Sequence, residues 1–227
     1  MHALAYLLAA VLLWPCYAHA FDTATLRDDF NRANEGPPPS SSWTTAVRGA
    51  TLDPSGLIVS TNTLGKTNSP TGNGSAFWNV ETFGPDTWVT ADCPDCTTAG
   101  IIILFVRLQS AGTSGADGYA CRWSPDTPLL FIQRLDNGTL TTLASNSTDV
   151  NDGAKLGCEV IGSNIKAWVD TGSGWTEALS TIDTTYTAAG HVGVLMSANT
   201  AFLDNFGAHT VSAGGGGGGG AILRRRN

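Results

Sequence analysis

Apolar and polar residues alternate along most of this chain with the two-residue period of β-strands, and after residue 20 no stretch holds a helical period. Residues 155–170, KLGCEVIGSNIKAWVD, show the pattern best. Leu156, Cys158 and Val160 alternate with Gly157, Glu159 and Ile161; after Gly162-Ser163, Ile165, Ala167 and Val169 alternate with Lys166, Trp168 and Asp170. A β-hairpin follows, with Gly162 and Ser163 as the loop of a II′ turn. That register sets Val160 opposite Ile165, Cys158 opposite Ala167 and Leu156 opposite Val169 on one apolar side. On the other side Glu159 meets Lys166, and Gly157 leaves room beside Trp168. One face is core; the other is either a solvated back or a binding platform.

Short runs rich in Val, Ile, Thr, Phe and Trp recur elsewhere, separated by Gly, Pro, Asn, Asp and Ser clusters, as in an all-β sandwich or barrel. Strands are expected over residues 26–31, 57–60, 75–78, 88–92, 119–123, 129–134, 191–196 and 202–208. Residues 101–109 form the longest apolar run, which predicts a central strand covered on both sides. Asp136-Asn137-Gly138 predicts a hairpin turn ahead of a strand over 140–144. PPPSSS, residues 37–42, reads as an extended loop leading to Trp43. Trp43, Trp78, Trp88 and Trp123 read as core.

Composition divides the chain in three. Residues 1–20 carry an apolar run over 3–13 and an Ala18-His19-Ala20 cleavage pattern, the form of a secretion signal. Residues 21–212 form one β domain. Residues 213–227 form a tail in which positions 214–220 are all glycine and Arg224, Arg225 and Arg226 stand near the end. Of twelve basic residues against nineteen acidic, those three arginines sit in the tail, so the body carries nine against nineteen, a net charge of −10. Such a body repels phosphate backbones, which argues against a nucleic-acid partner. No apolar run in the mature chain is long enough to span a membrane.

Removal of the signal takes away Cys16 and leaves Cys93, Cys96, Cys121 and Cys158. An even number in an exported chain, with no second CxxC, points to disulfides rather than zinc. The tight DCPDC turn favours Cys93 with Cys96. Cys121 shares a side with Tyr119 and Trp123 in GYACRW, and Cys158 lies on the core side of the hairpin, which favours their pairing.

DDFNRANEGPPPSSSW, GYACRW, the hairpin and the closing VGVLMSANTAFLDNFGAHTV together resemble the concanavalin A-like lectin/glucanase superfamily, and within it the laminin G-like jelly-roll domains of bacterial and phage surface proteins. The resemblance covers nearly all of residues 21–211. It implies an all-β fold of two packed antiparallel sheets, a jelly-roll β-sandwich, with the terminal strands side by side near the DDF and LDNF motifs. Glycosidases of this fold set carboxylates two and four apart on one strand; Glu35, Glu81, Glu159 and Glu177 are the only glutamates, and none has an acidic partner at that spacing.

The expectation is therefore a non-catalytic, secreted or cell-surface module that binds glycans or surface polysaccharide, with an assembly subunit contacting other protein chains as the alternative and a divergent hydrolase as a third reading. Sugar binding needs an aromatic plate beside polar groups. Trp168, Lys166 and Glu159 fulfil this on the outer hairpin face, joined by Arg122 and Arg107 if their strands share that sheet. Paired terminal strands would also gather Asp28, Asp29 and Asp204 into an oxygen-rich rim suited to a structural Ca2+.

Overall fold

The computed structural model describes residues 25–67, 72–96, 100–124, 129–197 and 200–211. The expected signal segment and the glycine-arginine tail lie outside these residues. Among the described residues there are only strands and loops, so no helix is long and apolar enough to cross a membrane.

Fifteen strands among the described residues form two antiparallel sheets. The hairpin sheet runs β13 (Thr176–Ile182), β12 (Asn164–Asp170), β11 (Ala154–Ile161), β6 (Thr87–Asp95), β15 (Phe202–Thr210), β4 (Thr63–Lys66) and β3 (Leu57–Ser60), with β1 (Thr25–Asp28) added alongside β15. The facing sheet runs β10 (Thr139–Asn146), β9 (Leu129–Asp136), β8 (Asp117–Ser124), β7 (Ile102–Gln109), β14 (His191–Met196), β5 (Gly74–Trp78) and β2 (Trp43–Thr45). This is the expected β-sandwich. The short strands β2 and β4 and the Thr-rich edge strand β13 carry too weak an alternation to be predicted.

The hairpin pairs in the expected register, Leu156 with Val169, Cys158 with Ala167, Glu159 with Lys166 and Val160 with Ile165. Gly162 has φ +58°, which a II′ turn demands at its first loop position. Leu156, Cys158, Val160, Ile165, Ala167 and Val169 all enter the main core between the sheets. From the facing sheet Ile102, Leu104, Val106, Tyr119, Cys121 and Trp123 enter the same core. The Cys121–Cys158 disulfide crosses that core from β8 to β11, and Cys93–Cys96 closes the end of β6. Both pairings are those that the turn and the alternation favour.

Strand β7 is apolar from Ile102 to Val106 because it is covered twice. Ile103, Phe105 and Leu108 belong to a second cluster on the outer side of the facing sheet, with Val47 and Phe77. The 46–53 loop that brings Val47 there is fixed by Arg48, whose guanidinium meets the buried Asp53 carboxylate at 2.7 Å.

The amino-terminal strand stops at Asp28, short of the expected residue 31, because the Asp28 carboxylate takes the Phe30 N–H at 2.9 Å and Phe30 adopts φ +48°. Phe30, Trp43 and Phe206 then pack together, with Trp43 and Phe206 ring centroids 4.9 Å apart. The DDF and LDNF motifs thus join through β1 and β15, where Thr25 faces Ala208 and Leu26 faces Gly207.

Candidate functional site on the outer hairpin face

Strand register sets out the outer face of the hairpin sheet row by row. His209, Trp88, Glu159, Lys166 and Ser180 lie side by side across five strands. In the next row Thr90, Gly157, Trp168 and Glu177 follow one another. Trp88 and Trp168 form an aromatic cluster of their own, with Trp175 and Val211 packed against it. Trp88 therefore is buried, but on this face rather than in the central core, where Trp43, Trp78 and Trp123 sit.

Sequence alternation missed Trp175. It follows the loop Thr171-Gly172-Ser173-Gly174, in which both glycines take positive φ and donate their N–H groups to the Asp170 carboxylate at 2.7 and 2.9 Å. That short closed loop turns the chain back over the sheet, and the Trp175 ring lands above Gly157. A Cβ at Gly157 would stand 3.2 Å from both the Trp168 Cβ and the Trp175 ring edge. A glycine inside a strand marks a close approach, and this was the one signal in the sequence that could have found the third tryptophan.

The polar groups here are set by the same packing. Trp168 donates its Nε1–H to Glu159 Oε2 at 2.7 Å, deep enough that Glu159 is only 2% exposed. Lys166 meets Glu177 Oε2 at 2.7 Å, and its ammonium stands 5.4 Å from the Trp168 ring centroid. Trp168 is 8% exposed, so the face offers the half-buried Trp175 and the Lys166–Glu177 pair to solvent, with Trp168 and Trp88 as support beneath.

Arg122 and Arg107 are not brought to this face. Arg122 lies on β8 of the facing sheet, with its guanidinium 4.8 Å from the Phe131 centroid. Arg107 is 1% exposed. A β-bulge after Val106 gives it φ +52°, which breaks the alternation that would group it with Phe105. Its guanidinium turns to the end of the sandwich and donates to the carbonyls of Pro85, Tyr186 and Gly162, the last two at 2.8 Å. It is a clamp on the hairpin turn and its neighbours.

The terminal aspartates do come together, but Asp28 has no oxygen left for a cation. Its Oδ1 accepts from Phe30 N and Arg32 Nη1 (2.9 and 2.5 Å), and its Oδ2 from Arg32 Nη2 and Trp43 Nε1 (3.0 and 2.8 Å). Asp29 accepts the Asn31 N–H at 3.0 Å. Burial raises the Asp204 carboxyl above its ordinary value; the Asn205 N–H opposes this, and the charges of Asp92, Asp29 and Asp28 add to the rise. Among the described residues no three His, Cys, Asp or Glu side chains group as metal ligands.

A second polar network, unforeseen from the sequence, locks the 183–186 segment to the end of the facing sheet. Tyr119 donates to Asp183 Oδ1 at 2.7 Å, and Arg134 Nη1 donates to Asp183 Oδ2 at 2.9 Å. Tyr186 donates its hydroxyl between Asp136 and Asp117, at 2.8 and 3.0 Å. Burial alone would raise the Asp183 carboxyl, but hydrogen bonds from Tyr119, Thr185 and Arg134 outweigh it and bring it down to about 2. Burial and the bond to Asp183 push the Tyr119 hydroxyl up to about 12.

No family model and no curated protein matches this chain. Solved structures do. The fold is similar to a carbohydrate-binding module, CBM66, from Bacillus subtilis, with a TM-score of 0.58 and 17% identity over 74% of this chain and 96% of that one. A Bacillus subtilis protein with a galectin-like fold matches at a TM-score of 0.57 and 13% identity, covering 82% of this chain and 98% of that one. The Ca2+-bound exoplasmic/lumenal domain of VIP36 matches at 0.59 and 10% identity, over 83% and 90% of the two chains. At these identities the likeness is one of fold. It agrees with the concanavalin A-like resemblance at the level of the fold and does not test the laminin G-like subgroup.

Proposed function

We propose that the chain is an exported, non-catalytic carbohydrate-binding module whose glycan lies on the outer face of the hairpin sheet. The observation that carries this reading is the three-tryptophan cluster, capped by Trp175 and rimmed by the Lys166–Glu177 pair. A pyranose offers a CH face for the indole and hydroxyls for the ammonium and carboxylate. Trp168 and Glu159 hold the plate from below, and Trp175 makes the contact. The carbohydrate-binding module and the VIP36 domain of similar fold, seen in a Ca2+/Man3GlcNAc-bound form, support the reading, and the two disulfides support an oxidising, extracellular or cell-surface location. Asp28 serves Arg32 and Trp43 instead of a cation, which favours binding that does not require Ca2+.

A glycan array probed with the full chain, with Ca2+ and with a chelator, tests this. Binding to a defined set of glycans, unchanged by chelation and abolished by Trp175→Ala in a protein that melts normally, is the expected result. An array with no spot above background overturns the reading.

The assembly alternative has its own support in the sheet edges. Edge strands β10 and β13 are exposed or half-buried at every position, and Ile182 at the end of β13 is 70% exposed. Exposed edges offer backbone groups to another chain. Concentration-dependent oligomers in light scattering, together with a blank array, would favour that reading.

A further inference from the structure

Near Trp175 the chain forms a cleft of about 380 Å3 at the edge of the hairpin sheet, lined by Thr148, Asp149, Val169, Thr171, Thr176, Glu177 and Ala178. Its size falls within the range of about 300–1,000 Å3 usual for small-ligand sites. Its position follows from the two loops that flank it. The loop Asp170 closes carries Thr171 on one side of Trp175, and Thr176 and Glu177 follow on the other. Thr148 and Asp149, from the connection between β10 and β11, form the opposite wall; Thr148 N is fixed by Asn146 Oδ1 at 3.1 Å, and Val150 N by Asp149 Oδ1 at 2.9 Å.

Glu177 joins the two features. It lines the cleft and also pairs with Lys166 on the tryptophan face. Val169 and Ala178 in the cleft belong to the inner side of the sheet and the tryptophans to its outer side, so a chain of sugars laid over Trp175 would turn over the β12–β13 end to enter the cleft. Three threonines and two acidic residues share the lining with Val169 and Ala178, residue types that offer hydrogen bonds to sugar hydroxyls and an apolar surface to a CH face. Among the described residues that line the cleft there is no lysine or arginine. The charge of Glu177 is met by Lys166, which leaves that of Asp149 to set the sign of the field. A uronate, sulfate or sialyl carboxylate placed there would be repelled.

Resting on the glycan-binding reading above, we infer that this cleft is the subsite for one uncharged sugar unit, and that it makes the module selective for neutral over acidic glycans. The Trp175 face supplies general affinity for pyranose rings. The cleft supplies the discrimination.

The test uses the full chain on an array that carries neutral, uronate, sulfated and sialylated glycans, followed by titration calorimetry with the best neutral spot and its acidic counterpart. Thr171→Trp fills the cleft and leaves Trp175 in place; it should weaken neutral binding by at least about tenfold, or 1.4 kcal/mol. Asp149→Asn keeps the acceptor for Val150 N and removes the charge; it should bring acidic binding to within about threefold of neutral, from a wild-type gap of about tenfold or more. Thermal melts confirm that both variants fold. If wild type binds acidic and neutral glycans equally, or if Thr171→Trp leaves affinity intact while Trp175→Ala abolishes it, the subsite is overturned and the tryptophan platform stands. If no spot binds at all, the platform falls and the subsite with it.

Discussion

Arg107 sits on a strand whose alternation, taken at face value, sends it outward beside Phe105. One residue in the left-handed region is enough to undo that. With φ +52° at the bulge, the guanidinium swings to the end of the sandwich and satisfies three main-chain carbonyls that have come from three separate loops. The planar fork of arginine suits this, since its donors diverge at fixed angles, and lysine offers one point charge. Arg107→Met should destabilise the fold by about 3 kcal/mol, because buried carbonyls lose their donors and Asp86 loses its counter-charge. Arg107→Lys should recover less than half of that. Denaturant unfolding measures both; a loss within about 0.5 kcal/mol for methionine, the range of an ordinary surface change, would show that the clamp carries no weight. Asp28 teaches the same lesson with the opposite sign: its position at the strand terminus resembled a cation ligand, yet Phe30 N–H, Arg32 and Trp43 together occupy both of its oxygens.

At the scale of elements, the hairpin was legible because its turn and its two-residue period agree, and every pair follows from Gly162-Ser163. The disulfide between Cys121 and Cys158 was legible for the same reason, as two inward positions on facing strands. It closes a separation of 37 residues, and its loss in a Cys121→Ala, Cys158→Ala variant should cost about 4 kcal/mol by chain entropy, read as a lower denaturation midpoint. What the sequence could not show was any feature made by loops. Trp175 lies outside strand alternation, and its placement depends on two positive-φ glycines and Asp170 acting together. Arg107 depends on a bulge, and the Tyr119–Asp183 contact joins residues 64 positions apart. Gly157 was the visible half of the Trp175 contact. Gly157→Val puts methyl groups where the indole edge now stands, so Trp175 should be displaced and its fluorescence shifted to the red. Overpacking of this kind costs about 1–3 kcal/mol. An unshifted emission spectrum would mean that Trp175 does not rest on Gly157.

For the whole molecule, the two sheets are joined at one end by groups whose titration is displaced from its ordinary range, so their contribution to stability depends on pH. Asp183 titrates near 2 in the folded chain against an ordinary 3.8, so between those values the unfolded chain binds the extra proton. Stability contributed by Asp183 is present above about pH 4 and drains away as pH falls toward 2. Tyr119 is displaced the other way, to about 12 from 10.0, so between those values the unfolded chain has already lost a proton that the folded chain still holds. Its contribution is present below about pH 10 and is lost as pH rises toward 12. Tyr186 is raised as well, by burial and by its bonds to Asp136 and Asp117, and adds to the alkaline limb. The melting temperature should therefore be flat from about pH 4 to 10 and fall on both sides. Asp183→Asn removes the depressed carboxyl and one cause of the Tyr119 shift together. It should start from a lower plateau and show shallower slopes at both ends. Melting curves at half-unit steps from pH 2 to 12 measure this. An acid limb as steep in Asp183→Asn as in wild type would place the acid sensitivity elsewhere in the molecule, and an unchanged alkaline limb would separate Tyr119 from Asp183.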